Sequence, residues 1–221
     1  MDIFKYDVYR GPNIGIYTKV NNEKIFLPRG FAKPKAAHLE EYLKAEAHYT
    51  SVANTRLLGA LMVLNNHGLL LPNTISETEL EFYKKYSDLN VEILDTKFTA
   101  LGNMICVNDK GGVVSPIIPK EVVKKIEDVL DVEIIQKRIA GYNQVGAMMV
   151  ATSSGGIIHP ETDEGDMKKI SDVLGINVEP ATINGGIPFV ASGVLANNKS
   201  IVVGSFTSGP EIMMLTRAFS N

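Results

Sequence analysis

The amino-acid sequence predicts an α+β fold, a closed ring of five ββαβ-like repeats with pseudo-fivefold symmetry, or α/β propeller. Three features that recur along the 221 residues predict it. A small residue opens an apolar run every 43 to 45 residues, a pair of turn-forming residues follows six positions later, and a second apolar run ends every 44 residues. A period of this length indicates a repeat architecture, in which neighbouring units bury each other's apolar faces.

Each repeat begins with two short strands joined by a tight turn. The small residues that open the first strand are Gly15, Gly59, Gly102, Gly146 and Ala191. The turn pairs are Asn21-Asn22, Asn65-Asn66, Asn108-Asp109, Thr152-Ser153 and Asn197-Asn198, mostly residue types that tolerate hairpin turns. The second strand ends at Pro28, Pro72, Pro116, Pro160 and Gly204. We expect the small residues to let five strands crowd around the axis, the alternative being local turn chemistry.

An amphipathic helix follows the second strand of each repeat. In KEVVKKIEDVL, residues 120–130, apolar residues fall on one helix face, and Glu121 and Lys125 are expected to pair on the other. Ser76 and Glu79 form an S-x-x-E capping box at the start of another helix. Prolines suit the first turns of the first and fifth helices, Pro34 and Pro210.

A short third strand follows each helix except the last. The candidate strands span residues 48–52, 91–94, 132–135 and 178–183. The fifth helix, 212–219, leads directly to Asn221. The N-terminal segment 3–11, which includes the run Tyr6 to Arg10, can supply the missing strand and close the ring without an unpaired sheet edge. The sequence therefore predicts one domain, 1–221, with repeats at approximately 12–55, 56–98, 99–142, 143–186 and 187–221.

Several classes of protein fit the composition poorly. WD40 propellers have a similar period, but their blades contain four strands and no helix. The single cysteine, Cys106, provides no disulfide framework. No apolar run approaches the ~18 residues of a membrane span, and the first residues lack the apolar core of a signal peptide. We therefore expect a cytoplasmic monomer without membrane contact.

Charge is distributed unevenly along the chain. The net charge is −3, which argues against a broad nucleic-acid footprint. Residues 1–35 nevertheless carry +4. This segment is either a solvated face or an edge that lies near an anionic partner.

Residues suited to catalysis or metal binding are scattered. Cys106 lies in an apolar strand, where a small core residue is expected. The histidines show no i, i+4 spacing and indicate no metal site; they are His38, His48, His67 and His159. The glycine pairs lack the strand-to-helix placement of phosphate loops. No cofactor or metal is expected.

Five segments resemble one known family. They are PNIGIY from Pro12, GALMVLNNHGLLLPN from Gly59, TALGNMICVND from Thr99, GGIIHPET at 155–162 and VLANNKSIVVG at 194–204. From about Tyr6 to Phe219 the chain resembles the translation initiation factor 6 family, in its short, archaeal type. Gly204 departs from the pattern, because a proline closes the equivalent strand of the other repeats. The resemblance implies the pentein fold, which also describes a ring of five units.

The resemblance implies binding and not catalysis. Such a factor would lie on the intersubunit face of the large ribosomal subunit, chiefly against ribosomal proteins, and sterically prevent the small subunit from joining. Residues 1–35 would then form the edge nearest the rRNA.

The pentein fold also includes guanidine-modifying enzymes, the deiminases and amidinotransferases, which are the alternative function. These enzymes need a cysteine nucleophile near the C-terminal repeat, a histidine and paired carboxylates. From Ile187 onward this chain contains neither cysteine nor histidine, and its one carboxylate side chain is Glu211.

Five polar residues are the candidates for contact with a partner. They come near the start of the first strand of each repeat and are expected in equivalent places on one face of the ring: Asn13, Arg56, Asn103, Asn143 and Asn184. Asn103 is the foremost candidate, because it lies within the TALGN segment. The alternative is that Asn103 bonds the backbone of a neighbouring repeat. The opposite rim, with the hairpin turns 65–66 and 197–198, is the alternative surface.

Overall fold

The computed structural model describes residues 1–220, which form five successive units with the same order of elements. Each unit contains a short helical turn, an antiparallel hairpin and a longer helix, and in the first four units a strand follows that pairs parallel to the second hairpin strand. The fold is therefore mixed α+β, as predicted. Its five three-stranded sheets are separate, and none of those within residues 1–220 closes into a barrel.

The elements are as follows in chain order. The chain begins with β1 (Asp2–Tyr6), and the first unit contains α1 (Ile14–Tyr17), β2 (Lys19–Val20), β3 (Lys24–Pro28), α2 (Lys33–Leu43) and β4 (Glu46–Thr50). The second contains α3 (Leu58–Leu61), β5 (Val63–Leu64), β6 (Gly68–Pro72), α4 (Glu77–Tyr86) and β7 (Asn90–Leu94). The third contains α5 (Leu101–Met104), β8 (Ile105–Val107), β9 (Gly111–Val114), α6 (Lys120–Leu130) and β10 (Glu133–Gln136). The fourth contains α7 (Val145–Met148), β11 (Met149–Ala151), β12 (Gly156–Ile158), α8 (Glu164–Leu174) and β13 (Val178–Pro180). The fifth contains a 3-10 turn (Val190–Gly193), β14 (Val194–Ala196), β15 (Ser200–Gly204) and α9 (Gly209–Ala218).

The small residue of each unit lies in the short helical turn and not at the start of a strand, which corrects the sequence prediction. The close approach predicted for these residues is confirmed. A Cβ atom on Gly59 would clash with the carbonyl oxygen of Gly15, and one on Gly102 would clash with that of Gly59. Helical turns of successive units therefore pack backbone to backbone, which only a very small residue permits.

The fifth sheet is completed by the N-terminus. Strand β1 pairs parallel with β15, from Asp2 opposite Ser200 to Tyr6 opposite Gly204. The predicted strand 3–11 is thus too long and begins one residue late. Residues 8–11 instead form a tight turn closed by a bridge between Val8 and Gly11.

The predicted helix-start residues lie at helix starts, but α9 spans Gly209–Ala218 and not the predicted 212–219. The capping box of Ser76 and Glu79 is present at the start of α4, and prolines occupy the first turns of α2 and α9. The expected pair of Glu121 with Lys125 is wrong, because Lys125 bonds Glu92 of the preceding unit at 2.7 Å. The surface of α6 therefore connects two units.

The hydrophobic core is divided among the contacts between units. It consists of five clusters, and each combines buried residues from two successive units. One cluster joins the fifth unit to the first, where Leu195 and Val202 pack with Ile14, Ile25 and residues of α2. Because each unit shares its core with the next, no unit buries its apolar residues alone.

Candidate functional site

The hairpins give the molecule two ends. The first strand of each hairpin runs from the helical turn to the hairpin turn, and the second strand returns. We call the hairpin turns the hairpin end; they are residues 21–22, 65–66, 108–109, 152–153 and 197–198. We call the segments before the helical turns the loop end; they are residues 8–13, 52–57, 95–100, 139–144 and 183–189. Side chains from all five units line a central cavity of about 330 Å³.

Buried amide side chains at the hairpin end connect several units to the next. Asn108 is buried, and its Nδ2 donates to the carbonyl oxygens of Thr152 (3.1 Å) and of Leu174 at the end of α8 (2.9 Å). Asn65 and Asn197 each make the same two bonds to the hairpin turn and the helix end of the next unit. These amides satisfy carbonyl groups that a helix end leaves without partners.

A closed ring of hydrogen bonds passes through the second residue of each hairpin turn. The backbone N–H of Asn22 donates to Oδ1 of Asn66 (3.0 Å), and that of Asn66 donates to Oδ1 of Asp109 (2.9 Å). The Ser153 hydroxyl donates to Oδ2 of Asp109 (3.1 Å). The backbone N–H of Ser153 donates to Oδ1 of Asn198 (2.9 Å), and that of Asn198 donates to Oδ1 of Asn22 (3.0 Å). The ring returns to its starting residue, so the polar groups of the hairpin end are largely used within the fold.

The loop end is built from tight turns with unusual backbone geometry. In four units a β-bridge closes the turn, and the residues inside it have positive φ angles. Among them are Tyr9 (φ 53°) and Arg10 (φ 62°), two bulky residues in a conformation that L-residues rarely adopt. Such a turn persists because the surrounding structure holds it.

Buried glutamates hold two of these turns. Oε1 of Glu79 accepts hydrogen bonds from the Ser51 hydroxyl and the Asn54 backbone N–H. Glu211 accepts from the backbone N–H groups of Gly185 (3.1 Å) and Gly186 (2.8 Å). Burial alone would raise the pKa of Glu211, but its hydrogen bonds, among them those from Ser208, Gly185 and Gly186, outweigh burial and lower the pKa to about 2. Burial likewise opposes ionisation of Glu79, but hydrogen bonds from Ser51, Ser76 and Asn54 lower its pKa. Both carboxylates therefore stay ionised at neutral pH and fix the loop end to the helices α4 and α9.

The five candidate contact residues lie in or beside the loop end, but the expectation that they occupy equivalent places is wrong. Arg56 and Asn143 precede α3 and α7 by two residues, and Asn13 directly precedes α1. Asn103 lies within α5, and Asn184 lies in the turn closed by the bridge between Ile183 and Ile187. Their distances along the chain from the small residue of each unit already differ, from seven positions before it for Asn184 to one position after it for Asn103.

Their contacts differ as well. The Arg56 guanidinium lies over the ring of Tyr9, 5.5 Å from its centroid, and is exposed. Nε of Arg138 donates to Oδ1 of Asn143 (3.0 Å).

Asn184 donates from Nδ2 to the carbonyl oxygen of Pro12 (3.2 Å) and so joins the fifth unit to the N-terminal segment. Asn103 donates its backbone N–H to the Ala100 carbonyl (3.0 Å) and lines the central cavity. Asn13 is exposed. Asn184 thus has a clear structural role, whereas Asn13 and Arg56 are accessible to a partner.

Exposed aromatic residues at the loop end were missed by the sequence analysis. Tyr9, Tyr142 and Phe189 are each about two-fifths exposed, and Phe206, whose backbone lies beside the Gly185 turn, is 70% exposed. The ring centroids of Tyr142 and Phe189 are 6.0 Å apart. The signal was present, since three of these residues precede a helical turn by one to five positions, but only polar residues were compared between repeats.

The basic residues of segment 1–35 differ in their exposure. Lys19 lines the central cavity, Lys24 lies 3.6 Å from Asp88, and Lys35 donates to the Asp7 carbonyl oxygen. The exposed basic residues of the segment are Lys5, Arg10, Arg29, Lys33 and Lys35. Only part of the predicted basic edge is therefore available to an anionic partner.

Cys106 lies in a poor environment for a nucleophile. The side chain is buried, and burial raises its pKa to about 11, although nearby Lys19 acts in the opposite direction. A thiol at this pKa holds little of the reactive thiolate at neutral pH. Within residues 1–220 no cluster of three or more histidine, cysteine or carboxylate side chains could hold a metal ion. None of the helices in this part of the chain is both long and apolar enough to cross a bilayer.

Comparison with known proteins shows where the chain belongs. The model of the eIF-6 family matches residues 3–218. The chain is 79% identical over 220 residues to translation initiation factor 6 of Cenarchaeum symbiosum and 66% identical over 221 residues to that of Nitrosopumilus maritimus, with full coverage of both chains in each case. It is 44% identical to translation initiation factor 6 of Thermococcus gammatolerans, over 99% of this chain and 98% of the relative. The chain therefore belongs to the eIF-6 family, whose named members here are translation initiation factors.

Proposed function

We propose that the chain binds the large ribosomal subunit through its loop end and sterically prevents the small subunit from joining. Membership of a translation initiation factor family supports a partner in the ribosome. The observation that carries the choice of surface is the set of exposed aromatic rings with Arg56 at the loop end. Aromatic residues and arginine are the residue types most often found at the energetic centre of a protein interface.

The partner surface is chiefly protein. With a net charge of −3 the chain has little capacity to neutralise many phosphates at once. Exposed aromatic side chains at the loop end favour contact with apolar groups of ribosomal proteins. Arg29 and Lys33 would form the edge nearest rRNA.

The whole chain acts as one unit in this proposal. Residues 1–221 form a single pentein-type ring, or α/β propeller, that works as a monomer in the cytoplasm. The closed ring of units supports a steric mechanism, because shared cores and the ring of hydrogen bonds through the hairpin turns stiffen it against deformation by the approaching small subunit. Asn13, Arg56, Asn103 and Asn143 supply polar contacts, and Asn184 positions its loop.

Sedimentation of the purified protein with separated ribosomal subunits tests this function. We expect it to pellet with large subunits and not with small ones, and to reduce formation of the joined ribosome in proportion to occupancy. Equal binding to both subunits, or binding that leaves joining unaffected, would contradict the proposal. A weak dependence on salt is expected, because few phosphates are contacted.

A further inference from the structure

The central cavity contains an unpaired cation. One ring of residues that line it lies four positions after the small residue of each unit, and consists of Lys19, Val63, Cys106, Val150 and Leu195. The ring thus presents one ammonium group among aliphatic side chains and a thiol. The sequence analysis did not identify this position as a candidate site, although lysine is the charged residue among the five.

The Lys19 ammonium has no anionic partner within residues 1–220. The five salt bridges in this part of the chain involve other residues. Lys19 keeps an intermediate exposed fraction, and desolvation by burial lowers its pKa although nearby Cys106 acts in the opposite direction, so the charged form is disfavoured while no anion is present. The partial exposure and the desolvation of Lys19 are consistent with each other if its accessible surface is part of the cavity wall. A buried charge without a partner is unfavourable, and an anion in the cavity would relieve that cost.

The lining limits the chemistry of such an anion. A cavity of about 330 Å³ is in the range of small-molecule sites. One ammonium balances a single negative charge, whereas a phosphate ester with two charges would need further donors. Val63, Val150 and Leu195 provide apolar walls for a hydrocarbon chain.

We propose that the central cavity binds a small aliphatic carboxylate, with its carboxylate group against Nζ of Lys19 and its hydrocarbon chain among Val63, Val150 and Leu195. The ligand would enter on the loop side, past Asn103 and Phe189, which line the cavity there. This proposal rests on the cavity alone and does not depend on ribosome binding.

Calorimetric titration of the full-length protein with sodium hexanoate tests the site. We expect saturable binding of one hexanoate per chain, at least tenfold weaker binding to Lys19→Met, and unchanged binding to the control Lys120→Met, whose lysine lies exposed at the start of α6. Hexan-1-ol, which lacks the charge, should bind more weakly than hexanoate to the wild type. It should bind Lys19→Met about as well as the wild type.

Removing the unpaired ammonium should leave the melting temperature unchanged or higher, so Lys19→Met is expected to fold; Lys19→Gln serves as a second neutral variant. The absence of hexanoate binding to the wild type at up to about 10 mM would overturn the proposal. Equal affinity of the wild type and the neutral variants for hexanoate would overturn it as well.

Discussion

The two ends of the molecule use the same polar residue types in opposite ways. At the hairpin end, amides such as Asn65 and Asn108 are buried and bond two carbonyl groups of the next unit. At the loop end, Asn13 and Arg56 are exposed, and aromatic rings accompany them. The hairpin end therefore holds the units together, and the loop end leaves side chains free for a partner.

This difference follows from hydrogen-bond accounting. A buried amide whose donors and acceptors are all satisfied contributes stability but cannot contact another molecule without losing those bonds. Exposed side chains on turns that buried glutamates hold can contact a partner with little loss of conformational entropy. The division of roles can be tested by substitutions that should change stability at one end and binding at the other.

The largest effect is expected from removal of the strand that closes the fifth sheet. Deleting residues 1–10 exposes the edge of β15 and removes Phe4, whose ring stacks on Tyr42 at 4.2 Å. We expect a loss of several kcal/mol in the free energy of unfolding and aggregation through the open edge. Urea denaturation measures it. A deletion protein that melts within a degree or two of the full chain would show that β1 is not needed for closure.

A smaller, but still large, loss in the free energy of unfolding is expected for Asn108→Ala. This change removes bonds to Thr152 and Leu174 and leaves buried carbonyl groups unsatisfied, which should cost about 3 kcal/mol of unfolding free energy. The matched loop-end variant is Asn143→Ala, which should cost no more than about 0.5 kcal/mol. Urea denaturation of the two proteins compares the ends directly. Similar losses in both would remove the distinction.

The glutamates that hold the loop-end turns should make the stability of the protein depend on pH. The pKa of Glu211 is about 2 in the folded protein against 4.5 for the free side chain, so its contribution is present above about pH 4.5 and is lost as pH falls toward 2. The Glu211→Gln variant should therefore be less stable than wild type at pH 6, with the difference shrinking below about pH 4.5. Exposed Glu41 supplies the control, Glu41→Gln. A difference between wild type and Glu211→Gln that is constant with pH would contradict this role.

The smallest effect is expected at the hairpin turn of the fourth unit, which begins with Thr152 and not with asparagine. Thr152 stands where Asn65, Asn108 and Asn197 bond the next unit. Thr152→Asn can reach the carbonyl groups of the fifth unit and should raise the free energy of unfolding by about 1 kcal/mol. Thermal denaturation measures the gain. A destabilised variant would mean that the contact between the fourth and fifth units is built differently.

The repeats, the helix starts and the completion of the fifth sheet by the N-terminus could be predicted from the sequence, because periodicity, capping residues and small residues act locally. The roles of individual polar residues could not. Asn108 and Asn13 are the same residue type, and only the position of neighbouring units makes one a structural bridge and the other an exposed side chain. The aromatic residues at the loop end could also have been identified from the sequence, by comparing the residues that precede the first strand in each repeat. The cavity ring that contains Lys19 becomes visible only when all five units are assembled.

The central claim is that the loop end contacts the partner, whereas the hairpin end holds the five units together. Two charge reversals test this claim most directly. Arg56 lies at the loop end over the ring of Tyr9, and Lys110 is exposed beside the hairpin turn 108–109. The two variants are Arg56→Glu and Lys110→Glu. Co-sedimentation with purified large ribosomal subunits should show binding weakened by roughly 1 to 3 kcal/mol for Arg56→Glu, with its melting temperature nearly unchanged, and wild-type binding for Lys110→Glu. Wild-type binding by Arg56→Glu together with weakened binding by Lys110→Glu would contradict the account and assign the partner to the hairpin end.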